Sequence, residues 1–179
     1  FSLLEAAGEK DSSLIRSVVV TLSQGMEADL RTFPAEDSGQ IASLADAADL
    51  DRYTYLVAGC AGEFWTAITM AHTSGLADWD AARMGELGVR FGKALQMTNI
   101  LRDVPKDLRL GRCYFPQDQL DALNLTPESL LDPLMAQTAD PLLADGIRIA
   151  LGHFEAAEEY LMTIPRRYMR LRLAALWPV

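Results

Sequence analysis

Apolar residues recur at intervals of three and four positions along most of the chain, which is the spacing of one face of an α-helix. The first such run predicts a helix with Ser12 and Ser13 as its N-cap residues. Residues 32–39 contain Pro34 and Gly39 and are predicted to form the loop that follows it. The apolar positions of this helix are Leu14, Ile15, Val18, Val19, Leu22, Met26 and Leu30.

A second periodic run predicts a helix over residues 41–72. Two glycines, Gly59 and Gly62, lie inside it. Each glycine costs about 1 kcal/mol relative to Ala in a helix interior, so we expect a compensating gain. Close packing of another helix, or close approach of a ligand, would provide that gain.

A third run predicts a helix over residues 78–104, after a turn at residues 73–75. Pro105 lacks a backbone donor, and its ring clashes with the carbonyl four residues earlier, so we expect this helix to bend or end there. A loop follows at residues 111–116, and the further helices are predicted at residues 117–123, 126–131, 141–162 and 166–177. Residues 18–22 are the best candidate strand, but they lie inside a helical pattern. The pattern therefore predicts an all-α bundle.

Composition narrows the function classes. Half of the 179 residues are apolar and 23% are charged, which suits one globular domain. A net charge of −9 argues against a nucleic-acid protein, whose binding surface should be basic. Two cysteines and two histidines supply neither a disulfide scaffold nor a multi-histidine metal site. Reduced thiols and the lack of an 18-residue apolar run predict a cytoplasmic protein.

A basic strip near the end of the sequence leaves the question of a membrane open. Its residues lie at helical spacing, so they form a solvated helix face, a helix lying on anionic lipid at the inner face of the membrane, or a site for a phosphorylated cosubstrate. The solvated face is the reading we prefer. The strip consists of Arg166, Arg167, Arg170 and Arg172.

The segment from Gln96 to Asp107 carries the most informative chemistry. Asp103 and Asp107 are four residues apart, so their carboxylates share one helix face. Gln96 and Asn99 precede them on that face, which gives a row of oxygen donors about 16 Å long. Such a row suits Mg²⁺, which binds through one or two carboxylates plus substrate phosphates.

The cations next to this row are placed to neutralise a diphosphate, because arginine offers a forked contact to phosphate. They are Arg102, Lys106, Arg109 and Arg112. The spacing alone is nevertheless weak evidence, since a solvated helix face with charges four apart gives the same pattern.

The complete string is more specific. Asn99-Ile-Leu-Arg102-Asp103-x-x-x-Asp107, followed by Gly-Arg-x-Tyr114-x-Pro, resembles the second aspartate-rich region of the squalene/phytoene synthase family. Upstream, Tyr53-x-Tyr-x-Val-Ala-Gly59-x-x-Gly62 is similar to another motif of that family, and the Gly-Met-x-x-Asp-Leu segment of residues 25–30 is similar to a third. The three motifs come in the family's order and are spread over residues 25–116.

The resemblance implies an isoprenoid-synthase-type helical bundle that joins two allylic diphosphates head to head with Mg²⁺. Asp103 and Asp107 would bind the metal, with Asn99 and Gln96 helping to hold metal or diphosphate. Arg102 would lie beside the diphosphate, and Tyr53 would face the reacting carbons. Gly59 and Gly62 would let the helix approach the prenyl chain.

The sequence differs from the family pattern in two respects. The first aspartate-rich motif of the family has no match within residues 1–179, and family members continue beyond Val179, so we expect a single domain that lacks its N-terminal and C-terminal helices. Lys106 puts a positive charge where the family tends to have a negative one.

Four functions remain open at this point. Our first choice is the conversion of two farnesyl diphosphates to squalene, with NADPH as hydride donor. Two geranylgeranyl diphosphates converted to phytoene, without NADPH, is the second. A terpene cyclase and a non-catalytic helical partner protein are the alternatives from other classes. The sequence does not predict the oligomeric state.

Overall fold

The computed structural model describes residues 7–76 and 79–176, and it confirms the all-α expectation. The α-helices are α1 (Glu9–Thr32), α2 (Ala47–Thr54), α3 (Cys60–His72), α4 (Ala81–Arg109), α5 (Gln117–Ala122), α6 (Ala136–Thr163) and α7 (Met169–Leu176). A π-helical segment (Tyr55–Gly59) joins α2 to α3, and short 3₁₀ turns lie at Ser74–Leu76, Glu128–Leu131, Pro133–Met135 and Arg166–Tyr168.

Helix α4 is the central element, packed against α6, α3 and the π-helical segment. Its buried side chains contribute to three hydrophobic clusters along its length. The first cluster contains Phe91 and Tyr160 of α6, and the second contains Met97 and Tyr114. The third surrounds Leu108 near the end of the helix. Because side chains of α4 are buried along its whole length, the polar row of residues 96–107 is held on a fixed helix.

The predicted single helix over residues 41–72 is wrong at its beginning. Ala42–Ser43 form a short strand, β1, which pairs in parallel with Arg112–Cys113, β2. Helix α2 begins only after Asp46, whose carboxylate accepts a hydrogen bond from the backbone of Asp49 at 2.9 Å. Apolar periodicity does not reveal the strand pair, because its partner is about 70 residues away and only two residues take part on each side.

Of the two outcomes expected at Pro105, a bend or an end of the third helix, the end is wrong, since α4 continues to Arg109. Pro105 is exposed, whereas Leu108, one turn later, is only 2% exposed in the third cluster. Proline inside a helix costs about 3 kcal/mol, and full burial of a leucine side chain contributes about 2 kcal/mol of the compensation. The row is therefore helical through Asp107.

Other boundaries differ in smaller ways. Helix α1 begins at Glu9, so Ser12 and Ser13 lie inside it and are not its N-caps. Several of its apolar residues are exposed, among them Met26 and Leu30. Helix α6 begins five residues before the predicted start, and Trp177 lies outside the described residues.

The basic strip is partly engaged within the chain. Arg167 donates to the carbonyl of Gly75, and Arg172 donates to the carbonyls of Met162 and Ile164. Within residues 7–76 and 79–176, no helix combines the length and apolar character that crossing a membrane requires.

Candidate active site

Helix α4 presents the predicted polar row along one side. Gln96 and Asn99 border a cleft lined mainly by apolar residues, with a volume of about 430 Å³. Asp103 and Asp107 follow one and two turns beyond Asn99, and both are partly buried. The row thus runs from an apolar cleft at one end to two carboxylates at the other.

Asp103 is paired with Arg102, its neighbour in sequence. The guanidinium donates to both carboxylate oxygens, at 2.9 and 2.7 Å. This contact holds the pKa of Asp103 below its ordinary value, and Lys106 acts in the same direction. Arg102 is 64% exposed, so the ion pair is in contact with water and costs little to exchange for another partner.

Asp107 is in a different environment. Burial, followed by the negative charge of Asp103, raises the pKa of the Asp107 carboxyl, while Lys106 and Arg112 oppose the rise. Asp107 also lines a small space with Arg112 and Tyr114. A carboxylate that is desolvated next to another carboxylate favours a cation between them.

The raised pKa predicts a pH-dependent effect of Asp107 on stability. The folded state binds the Asp107 proton more tightly than the unfolded state, so the ionised carboxylate opposes folding above about pH 4 and no longer does so once both states are protonated. We expect Asp107→Asn to raise Tm near neutral pH, and the gain to shrink as the pH falls through about 4. Thermal unfolding followed by circular dichroism across that range measures the change in Tm. Asp103→Asn is the control, because the pKa of the Asp103 carboxyl is shifted in the opposite direction. A lower Tm for Asp107→Asn at neutral pH would contradict the assignment.

The apolar cleft lies between α4, the π-helical segment and α3, and α6 and α7 also contribute to it. Trp65 and Phe91 form part of its wall, together with Tyr160. The Tyr160 hydroxyl is 3.0 Å from that of Thr66, and both residues are buried. An apolar chain bound here would be shielded from water along one side, with its polar end at Gln96 and Asn99.

The two predicted glycines have different surroundings. Gly62 lines the cleft, and a Cβ at this position would lie 1.9 Å from the carbonyl oxygen of Gly88 on α4. Gly59 is buried, and a Cβ there would lie 3.2 Å from both Tyr55 and Val89. Close helix packing therefore offsets the cost of both glycines, and contact with a prenyl chain stays a prediction for both.

Tyr53 lies at the end of α2, just before the π-helical segment. Its hydroxyl donates to the Tyr114 hydroxyl at 3.1 Å, and the two rings lie 5.0 Å apart between centroids. Burial raises the pKa of Tyr53 strongly, and the hydrogen bond to Tyr114 adds to the rise. Tyr53 therefore acts as a neutral phenol, and it lines a second cleft of about 420 Å³ rather than the apolar one.

Sequence reasoning assigned no role to two residues of this region. Tyr114 lies in the Gly-Arg-x-Tyr-x-Pro string and Asp29 in the Gly-Met-x-x-Asp-Leu string. Asp29 pairs with Arg112 at 3.3 Å and lines the second cleft with Tyr53. The motifs contained the signal, but which of their residues meet depends on the fold.

The carboxylates alone do not assemble a metal centre. Within the described part of the chain, no three His, Cys, Asp or Glu side chains are close enough together to share a metal ion. Any metal at Asp103 and Asp107 would take its other ligands from amide, water or substrate oxygens.

Comparison with known proteins identifies similar sequences over most of the chain. The model of the squalene/phytoene synthase family matches residues 1–179. The chain is 36% identical over 128 residues to the presqualene diphosphate synthase of Rhodopseudomonas palustris, which covers 70% of this chain and 42% of that protein. It is 35% identical over 135 residues to the 15-cis-phytoene synthase of Synechocystis, which covers 73% of this chain and 38% of that protein.

The fold is similar to that of a solved relative. The squalene synthase HpnC from Alicyclobacillus acidocaldarius superposes with a TM-score of 0.69 at 21% identity, over 90% of this chain and 56% of that one. The chain spans between 27% and 42% of the length of the first curated relatives that it matches.

Proposed function

Because the chain belongs to the squalene/phytoene synthase family, we propose that it carries the catalytic row of an enzyme that condenses two prenyl diphosphates head to head. Two farnesyl diphosphates, joined through presqualene diphosphate and reduced to squalene, are the proposed substrates. The alternative is the condensation of two geranylgeranyl diphosphates to phytoene, which the similarity to a 15-cis-phytoene synthase supports.

One observation carries the proposal: a single helix face leads from an apolar cleft to a pair of carboxylates. Gln96 and Asn99 stand where the cleft meets the polar row, and Asp103 and Asp107 follow beyond them. A prenyl diphosphate has the same division, with an apolar chain at one end and an anionic group at the other. A ligand lying along α4 would bury its chain and leave its diphosphate beside the carboxylates.

The environment of the two carboxylates favours a divalent-metal site over a solvent-exposed helix face. Burial and the charge of Asp103 raise the pKa of Asp107, so a cation that binds both would relieve the repulsion. Asp103, Asp107 and Asn99 would hold Mg²⁺, and Arg102, released from Asp103, would pair with the diphosphate. The metal would supply charge neutralisation for the departing diphosphate.

The residues that line the two clefts would enclose the prenyl chains and the carbocation. The wall formed by Phe91, Trp65 and Tyr160 would exclude water from the carbocation left when diphosphate departs. Tyr53, which lines the second cleft, would face the reacting carbons from that side and offer the face of its ring to the cation. Val57, which lines both clefts, marks where two bound chains would come close to each other.

Product analysis tests this proposal. We expect Mg²⁺ and farnesyl diphosphate to give presqualene diphosphate, with squalene appearing when NADPH is added. A C40 product from geranylgeranyl diphosphate, independent of NADPH, would replace the first choice by the alternative. Turnover of neither diphosphate by the pure full-length protein would contradict both and favour a non-catalytic helical partner.

A further inference from the structure

We propose that Asp29 is a positioning residue that fixes Arg112 against the hydrogen-bonded pair Tyr114 and Tyr53. These groups form one line: an ion pair joins Asp29 on α1 to Arg112 on β2, and Arg112 lines one space with Tyr114 and another with Tyr53. The kinetic part of this inference rests on the proposed function, and the spectroscopic part does not.

The ion pair at the start of the line is partly buried. Arg112 Nη2 lies 3.3 Å from Asp29 Oδ2, and the side chains of Arg112 and Asp29 are 31% and 18% exposed. Among the described residues Glu36 forms the other ion pair of this guanidinium, at 3.8 Å, but its side chain is 62% exposed. Asp29 thus lies closer to the guanidinium than Glu36 does and is less exposed to water. We therefore expect Asp29 to determine where the guanidinium lies.

The backbone of Arg112 is fixed independently of its side chain. Arg112 pairs with Ala42 in the two-stranded ladder, and the preceding Gly111 has a φ of 83°, in the left-handed region. A Cβ on Gly111 would lie 2.7 Å from the carbonyl oxygen of Gln40, so the turn requires glycine. Because the main chain is held in this way, loss of Asp29 should move the guanidinium without unfolding the strand pair.

The phenols at the other end are held by packing in the second cluster and by polar contacts. Tyr114 is 8% exposed and meets the Phe33 ring edge to face, with centroids 5.2 Å apart. On its polar side Tyr114 accepts the Tyr53 hydrogen bond, and it lines a small space together with Arg112. The position of the guanidinium therefore influences the orientation of Tyr114 and, through it, that of Tyr53.

The line of contacts faces open space where a substrate can reach it. Asp29, Arg112 and Tyr53 all line the second cleft. Arg112 Nε is buried and has no hydrogen-bond partner among the described residues, so the guanidinium keeps a donor unused by Asp29. Burial raises the pKa of both phenols, and the charge of Asp29 adds to the rise whereas that of Arg112 opposes it.

Tyrosine signals test the positioning directly, whether or not the protein is active. The five tyrosines can be labelled with ¹³C at Cζ and compared in Asp29→Asn, Asp29→Glu and the matched control Glu36→Gln. We expect Asp29→Asn to shift the signals of Tyr53 and Tyr114 and to leave Tyr55 and Tyr168 in place, with Asp29→Glu closer to the wild type. Unshifted signals in Asp29→Asn, or equal shifts in Glu36→Gln, would overturn the inference.

Kinetics then separate positioning from substrate binding. A displaced catalytic group costs up to about 10²-fold, so we expect Asp29→Asn to reduce kcat about 10- to 100-fold with little change in KM, and Asp29→Glu to recover part of the loss. Shifted tyrosine signals with an unchanged kcat would show that Asp29 positions these groups but has no role in the reaction, which would overturn that part of the inference. An inactive wild type would instead contradict the proposed function, and the spectroscopic comparison would still decide whether Asp29 holds the line of contacts.

Discussion

Replacing Asp103 or Asp107 by Asn is expected to reduce turnover of prenyl diphosphate by about 10²- to 10³-fold, the usual cost of removing one preorganised charge-stabilising group. Each substitution keeps the shape of the side chain and removes the charge that would hold the metal. Steady-state assays with saturating Mg²⁺ measure the loss. Asp107→Asn should lose activity while gaining stability, because its carboxylate is desolvated beside Asp103.

Asp145→Asn is the matched control for these variants. Asp145 on α6 is also paired with a nearby arginine, Arg148, at 3.0 Å, but it lies outside the row on α4. We expect this variant to keep wild-type turnover. Equal losses in Asp145→Asn and Asp107→Asn, or full activity in both Asp103→Asn and Asp107→Asn, would show that the row on α4 has no special role.

Gly62→Ala should be strongly destabilising. The new Cβ would lie 1.9 Å from the carbonyl oxygen of Gly88, and backbone cannot move aside as a flexible side chain can. Helices α3 and α4 would have to separate, at a cost of about 3 kcal/mol or more. Thermal unfolding should show a Tm lowered by roughly 10 °C.

Gly85→Ala provides the matched comparison on α4. A Cβ at Gly85 meets nothing within 4 Å, so the variant adds helix propensity without a clash. We expect it to stabilise the protein by about 0.5–1 kcal/mol. If both variants changed Tm by the same amount in the same direction, the close contact between α3 and α4 would not be what requires glycine at position 62.

Local pattern predicted the helices because their apolar spacing is maintained over many turns. It failed where a distant contact decided the outcome. Burial of Leu108 in the third cluster carries α4 past Pro105. The pairing of Ala42 with Arg112 replaces the start of a predicted helix by a strand.

The candidate site divides in the same way. Asp103 and Asp107 were predictable because their relation is set by the pitch of one helix. Tyr53 and Tyr114 meet across 61 positions of sequence, and the Asp29–Arg112 pair joins α1 to β2. Such contacts depend on how the elements pack, which residue spacing does not encode. The π-helical segment after Tyr53 likewise has no signal in the apolar pattern.

Calorimetric titration with farnesyl thiodiphosphate, a slowly reacting analogue, tests the central claim most directly. The account predicts that the wild-type protein binds the analogue only when Mg²⁺ is present, and that the double variant of Asp103→Asn and Asp107→Asn loses this metal-dependent binding while remaining folded. Binding that is equally strong without Mg²⁺, or unchanged in the double variant, would contradict it.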